Sequence, residues 1–394
     1  MSFEQFTQRL HQELEVLQQE GRFYRPALLA GKQGPHIVVQ GRTYINLASN
    51  NYLGFAQDPR VIQAAATALS EYGFGLGGGR LIYGTAIQEK LEQRLATFKQ
   101  CEAVLTFQTG YDTNLGTLST LFGAEDVIVS DASNHASIID GCRFSPAQRR
   151  VYPHNDLAVL EKHLRDSQGA RTICVVTDGV FSMDGDIALL PEIVALAEQY
   201  GAIVYVDDAH GDGVLGHTGK GIVEHFHLHG RVAIEVGTLS KAFGGMGGFL
   251  ASNATITGYV FQRSRPFLFS TGHLPPTIAA GLLAALDLLE EEPERLRRLW
   301  ENTDYFRHQL KQLGFRTGAS MTPIIPLLVG EAATAMAFVG QLRAEGIFAQ
   351  AFSYPVVPQG AARIRMIVSA AHSQDDLDTT LQACERAGRS LRLI

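Results

Sequence analysis

"TICVVTDGVFSMDGDIALLPEIVALAEQYGAIVYVDD" spans residues 172–208. Two apolar runs, "TICVVTD" (172–178) and "AIVYVDD" (202–208), flank "LLPEIVALAEQYG" (189–201), which has helical periodicity and a terminal glycine. Short runs of this kind, without polar alternation, read as buried strands. A strand–helix–strand unit of this length implies parallel neighbours covered on both faces. Similar runs stand at "AVLTF" (103–107), "DVIVSD" (126–131) and "VAIEVGT" (232–238). Together they predict an α/β fold with a mostly parallel central sheet and helices on both faces.

The pattern changes toward both ends. "FEQFTQRLHQELEVLQQEG" (3–21) places Phe3, Phe6, Leu10, Leu14 and Leu17 at helical spacing and reads as an amphipathic helix closed by Gly21. After about residue 285 a long charged helix, "PERLRRLWENTDYFRHQLKQLG", precedes "TPIIPLLVG", another helix, "ARIRMIVSA" and a last helix. The expected organisation is an N-terminal helix and short strand segment (1–45), a large domain (46–285) and a smaller α+β C-terminal domain (286–394).

Composition narrows the function. The 394 residues carry a net charge of −7, which argues against a nucleic-acid or membrane partner. Cys101, Cys142, Cys174 and Cys384 show no C-x-x-C spacing, so neither a disulfide framework nor a metal site is expected. No targeting leader and no run long enough to span a bilayer is read, and the expected location is the cytoplasm.

In parallel sheets ligands sit outside the carboxyl ends of the strands. Polar residues collect there: Thr109, His135, Ser182, Asp207, His210 and Lys241. "YVDDAHGDG" (205–213) alone fits a metal site, half of a hydrolase triad or a polar loop. No G-x-S-x-G elbow completes a hydrolase, and few further metal ligands stand nearby. Lys241, at the end of the next strand in "VGTLSKAFGGMGG" (236–248), shifts the balance. Its glycines follow the lysine, the reverse of a phosphate-binding P-loop. An aspartate and a lysine on neighbouring strands suit pyridoxal phosphate (PLP): the amine binds the cofactor covalently and the carboxylate keeps the pyridine nitrogen protonated.

Seven stretches follow one another in a recognisable order: "SNNYLGF" (49–55), "SDASNHASIIDG" (130–141), "TDGVFSMDGDIALL" (177–190), "VDDAHGDGVLG" (206–216), "GTLSKAFGGMGGF" (237–249), "RPFLFST" (265–271) and "YPVVPQGAARIR" (354–365). In these the chain resembles the α-oxoamine synthases, fold-type-I PLP-dependent transferases that condense an amino acid with an acyl-CoA. The resemblance implies that Lys241 is the Schiff-base lysine and the acid/base at the substrate Cα. It implies that Asp207 pairs with the pyridine nitrogen, that His210 bonds the phenolic oxygen and that His135 stacks on the ring. Thr238 and the amides of Gly110 and Tyr111 match phosphate-binding positions, and a helix start at "TGYDTNLG" suits an anion on its own account. Ser270 and Thr271 match residues that reach the phosphate of a neighbouring subunit, which implies a homodimer with shared sites.

Two arginines in "ARIR" fall on one face of a strand. The family match assigns the substrate carboxylate to Arg365, helped by Asn50 and Ser182, and leaves Arg363 a structural ion pair. Asp184 and Asp186 read as turn residues. Glycine is the expected amino donor, because nothing in the sequence clearly provides for a side chain; the acyl chain stays open, and a family member using another amino acid or acyl chain is the alternative. The family pattern is broken in "YGFGLGGGRLIYGT" (72–85), where Leu76 replaces a serine, and in "GTAIQEKLE" (84–92), which is one residue short and lacks a histidine. An aminotransferase or Cβ lyase would share the lysine and aspartate, and a non-catalytic subunit would be expected to have lost the lysine.

Overall fold

The computed structural model describes every residue except 20, 21, 24 and 272, so the helix end read at Gly21 lies outside the described residues. In chain order the strands are β1 (His36–Val39), β2 (Arg42–Asn46), β3 (Ala103–Phe107), β4 (Val127–Asp131), β5 (Gln148–Tyr152), β6 (Ile173–Asp178) and β7 (Ile203–Asp207). β8 (Ile234–Thr238), β9 (Gly248–Ser252), β10 (Ile324–Gly330), β11 (Ile347–Phe348), β12 (Gln350–Phe352) and β13 (Ala362–Ile367) follow.

A seven-stranded sheet, ordered β3-β9-β8-β7-β6-β4-β5, forms the centre. β8, β7, β6, β4 and β5 run parallel, and β9 is antiparallel to both of its neighbours. Successive residues of the apolar runs enter opposite cores. Val175, Val204 and Val206 pack on one face, while Cys174, Val176 and Tyr205 pack on the other. Both faces are covered, which is why these strands lack alternation. Two strands of this sheet escape the sequence reading. β5, "QRRVY", is an edge strand with exposed charges, and β9, "GFLAS", opens on Gly248 at the end of a glycine-rich stretch.

A third core joins the two ends of the chain. Leu47 packs with Phe306, Leu327, Phe338, Ile364 and Leu381, and β11 pairs with β2 in parallel. β10, β13 and β12 make an antiparallel sheet in this part. The segment just before the large sheet is thus built into the C-terminal packing rather than standing apart. The N-terminal helix, Phe3–Gln19, buries none of its residues.

Behind the ends of β7 and β8 lies a buried charge cluster. The Lys99 ammonium stands 2.8 Å from Asp212 Oδ1, 2.9 Å from Glu235 Oε2 and 3.8 Å from Asp208 Oδ2. Burial alone would depress the Lys99 pKa, but the three carboxylates outweigh it and hold the amine charged. Burial raises Asp212 to about 6 against the pull of Lys99, and raises Asp208 well above the carboxylate range. Glycine is required around the two aspartates. A Cβ at Gly211 or Gly221 would overlap the Asp208 carboxylate, and one at Gly237 would overlap Asp212. Replacing Lys99 by methionine is expected to cost about 3–5 kcal/mol of stability, because it strands buried carboxylates without a cation. Denaturant midpoints of the two proteins measure this, and equal midpoints would show that the cluster carries no such charge.

Candidate functional site

The C-terminal edge of the parallel strands opens onto a cavity of about 200 Å³. Gly110, Tyr111, His135, Ser182, Asp207, His210, Thr238 and Lys241 all line it, gathered from five separate loops. Thr109, Ser137, Asp178, Ala209 and Ser240 complete the wall.

One end of the cavity is built for an anion. Thr109 caps the helix Gly110–Leu121 by accepting the Asp112 amide, so the Gly110 and Tyr111 amides stand in the first turn, ahead of the intrahelical ladder. The Thr238 hydroxyl bonds the Gly247 carbonyl at 3.0 Å and lies 2.9 Å from Ser240 Oγ. A Cβ on Gly110 would sit 3.2 Å from Thr238 Oγ1, so glycine lets the helix start approach the end of β8.

The other end carries the titratable groups. Lys241 follows β8 at the cavity wall, and burial lowers its pKa to about 8 despite the opposing charges of Asp207 and Asp178. Asp207 closes β7 and is buried; its Oδ2 accepts from Asn114 Nδ2 at 2.6 Å and its Oδ1 from the Ala209 amide at 2.9 Å. Burial pushes His210 well below the usual histidine range, aided by Lys241 and Arg365, and its Nδ1 meets the Tyr52 hydroxyl at 2.7 Å. His135 is the N-cap of the helix Ala136–Phe144, and burial lowers its pKa against the pull of Asp207.

Asp178 is absent from the residues expected from the sequence. It ends β6 in register with Asp207, and its Oδ2 accepts the His135 amide at 2.9 Å. Burial and the neighbouring Asp207 raise its pKa well above the carboxylate range. The signal was present, since Asp178 ends its apolar run in the same way as Asp207 does.

The remaining expected residues stand outside this cavity. Arg365 donates to the Ser182 carbonyl at 3.0 Å, and its guanidinium lies over the Phe352 ring at 4.8 Å. Its charge also acts on His210 and Lys241. Asn50 Oδ1 is buried and has no hydrogen-bond partner, an acceptor left open. Ser270 donates to Gln108 Oε1 at 2.8 Å, and the Thr271 carbonyl accepts from Gln108 Nε2 at 3.0 Å, beside the helix start but off the cavity wall. Arg363 pairs with Asp184. Asp186 does more than shape a turn: it meets His154 Nε2 at 2.8 Å, and His154 Nδ1 lies 3.1 Å from Asp131. Leu76 is not among the cavity residues, and Gln88, in the shortened stretch, is buried and donates to Thr106 Oγ1 at 2.9 Å.

The donor set fits PLP. It offers amides and hydroxyls for a phosphate, a buried carboxylate for a ring nitrogen, imidazoles beside the ring and an amine of lowered basicity. Among the described residues no cluster could hold a metal ion, and no helix is long and apolar enough to cross a membrane.

Comparison with known proteins agrees with the geometry. The family model described as aminotransferase class I and II matches residues 42–384. The chain is 52% identical over 390 residues to the 8-amino-7-oxononanoate synthase of Fervidobacterium nodosum, covering 98% of each chain. It is 51% identical over 388 residues to that of Exiguobacterium sibiricum, covering 98% of this chain and 99% of the other. A serine palmitoyltransferase variant from S. paucimobilis, solved with a bound PLP–myriocin aldimine, superposes with a TM-score of 0.93 at 33% identity over the whole of both chains. The chain belongs to the aminotransferase class I and II family, whose pyridoxal-phosphate cofactor the cavity fits, and is one of its α-oxoamine synthases.

Proposed function

We propose that the protein condenses alanine with the CoA thioester of a seven-carbon dicarboxylic acid, releasing CoA and CO2. The observation that carries the condensation is the convergence of Lys241, Asp207, His135 and His210 on one cavity, with Arg365 held against Ser182 beside it. The choice of donor rests on carbon arithmetic. The relatives are named for a nine-carbon product with an amine on carbon eight and a ketone on carbon seven. Seven acyl carbons and three from the amino acid, less one lost as CO2, give nine, and the terminal methyl is alanine's side chain. Glycine, expected from the sequence, would give one carbon fewer.

Each residue then has a task. The amides of Gly110 and Tyr111 with the Thr238 hydroxyl would hold the cofactor phosphate, and Asp207 would pair with the ring nitrogen; all four residues line the cavity. When bound, pyridoxal phosphate supplies an aldehyde carbon for the lysine and an electron-accepting ring for the charge left at the substrate Cα. Lys241 is the base at that carbon. Its neutral form dominates above about pH 8, so the amine is available close to neutrality. Arg365 binds the amino acid carboxylate with its planar fork, and the Asn50 side-chain amide N–H is assigned to the same group. His210 would offer a hydrogen bond to the ring oxygen, and His135 would cover a ring face.

The assembly is a homodimer in this reading. Phe74, Leu81, Ile82 and Phe269 are all exposed near the Gly79–Thr271 bridge, an apolar patch suited to a second copy. Ser270 and Thr271 would there reach the partner's phosphate.

Borohydride reduction of the yellow protein is expected to place a phosphopyridoxyl group on the peptide holding Lys241. The rate at which cofactor-free protein recombines with PLP should climb with pH and level off above about 8, since only the neutral amine is nucleophilic. Label elsewhere, or a rate flat between pH 6 and 9, would refute the role of Lys241. In a matrix of glycine, alanine and serine against acetyl-, succinyl-, pimeloyl- and palmitoyl-CoA, alanine with pimeloyl-CoA should release CoA fastest. Arg365→Lys should then lose about 100-fold in kcat/KM, mainly through alanine KM, because an ammonium cannot replace the bidentate fork. Faster turnover with glycine would return the donor to the sequence-based expectation. Mixing inactive Lys241→Ala with an inactive Ser270→Ala/Thr271→Ala protein should restore part of the activity, since a hybrid dimer has one intact site. No recovery after subunit exchange would argue against shared sites.

A further inference from the structure

Asn114 does not touch the cavity, yet it is tied to two of the groups that do. It lies inside the helix Gly110–Leu121 and is 1% exposed. The Tyr205 hydroxyl, itself fully buried, donates to Asn114 Oδ1 at 2.7 Å and so fixes which way the amide points. That orientation aims Nδ2 at two acceptors. One N–H donates to Asp207 Oδ2 at 2.6 Å and the other to Ser137 Oγ at 2.9 Å.

Ser137 passes the constraint onward. With its oxygen already accepting from Asn114, its hydroxyl proton is free to donate to His135 Nδ1, 2.7 Å away. The Ser137 amide donates to the same nitrogen at 3.2 Å. Two donors on Nδ1 leave the ring proton on Nε2. Asp207 is constrained in the same way, since the Ala209 amide donates to its other oxygen. With an N–H on each oxygen, the carboxyl plane is fixed.

We propose that Asn114 is a positioning residue that aims the Asp207 carboxyl group and, through Ser137, fixes His135 as its Nε2–H tautomer. The cofactor thus meets both groups in one defined state, set by a side chain it never contacts. The proposal rests on the reading that this cavity takes PLP. Tyr205, Asn114 and Ser137 are all buried, and the network reaches the cavity only at its far end, through Asp207, Ser137 and His135.

The test compares the parent holoenzyme with Asn114→Leu and Ser137→Ala. Asn114→Leu should raise the Kd for PLP roughly 10- to 100-fold, the effect of removing a hydrogen bond to a charged group. Ser137→Ala, which spares Asp207, should change it by less than about threefold. Nitrogen-15 spectra of histidine-labelled protein should show the parent's His135 protonated on Nε2, with mixed tautomers in both variants. If Asn114→Leu does not fold, the isosteric Asn114→Asp replaces it and should lose PLP affinity equally, because an oxygen then faces Asp207. A parent His135 protonated on Nδ1 would overturn the proposal, and so would an Asn114 variant that folds and keeps its Kd within twofold. Failure of the parent to bind PLP would sink the functional reading instead, while the tautomer read on cofactor-free protein would still decide this inference.

Discussion

One buried ammonium stands among three acidic side chains directly behind the strand ends that carry the site. Lys99 reaches Asp208, Asp212 and Glu235 from the last turn of the helix Ala86–Lys99, and also donates to the Lys220 carbonyl at 2.6 Å. The loop bearing His210 lies between Asp208 and Asp212, so the cluster anchors it at both ends. The glycines of this loop and of its neighbours follow from the same constraint, since any side chain at Gly211, Gly221 or Gly237 would enter the space of a carboxylate. Much of the glycine in these stretches therefore makes room for buried charge and is not a mark of mobility.

In front of the strand ends the same burial tunes the chemistry. Lys241 loses basicity because its charged form is poorly solvated, while Asp207 and Asp178 restrain that loss. The two histidines are driven toward neutrality by burial and by the cations around them. Each then presents one ring nitrogen fixed by a neighbour, Ser137 for His135 and Tyr52 for His210. A cavity of about 200 Å³ thus holds an amine of lowered basicity, a hydrogen-bonded carboxyl group and two imidazoles driven toward neutrality.

Much of this was legible in the sequence. The five strands read from apolar runs are present, and eight of the twelve expected site residues line the cavity. Lys241 and Asp207 could be found because chemistry and strand position agreed at both places. The assignments of Thr238, His135 and Arg365 needed the collinear family motifs, since a lone threonine, histidine or arginine carries no local signature. β5 and β9 were missed because one is an edge strand with exposed charges and the other opens on a glycine inside a glycine-rich stretch, which hides its apolar run. Asn114 could not be read at all. It sits in an ordinary polar helix turn, and its partners Ser137, Tyr205 and Asp207 come from distant parts of the chain.

By itself, the sequence determined the layered architecture and the order of the reactive groups along the chain. Periodicity and residue type are local properties, and burial on both faces of a sheet leaves a local trace. Only the tertiary structure decided what each polar group meets. It paired Asp178 with Asp207, placed Arg365 against Ser182, surrounded Lys99 with acids and joined residues 36–47 to the C-terminal core. Those outcomes depend on which strands become neighbours and on where water is excluded. The charge on a carboxylate and the proton on an imidazole are set by the same surroundings.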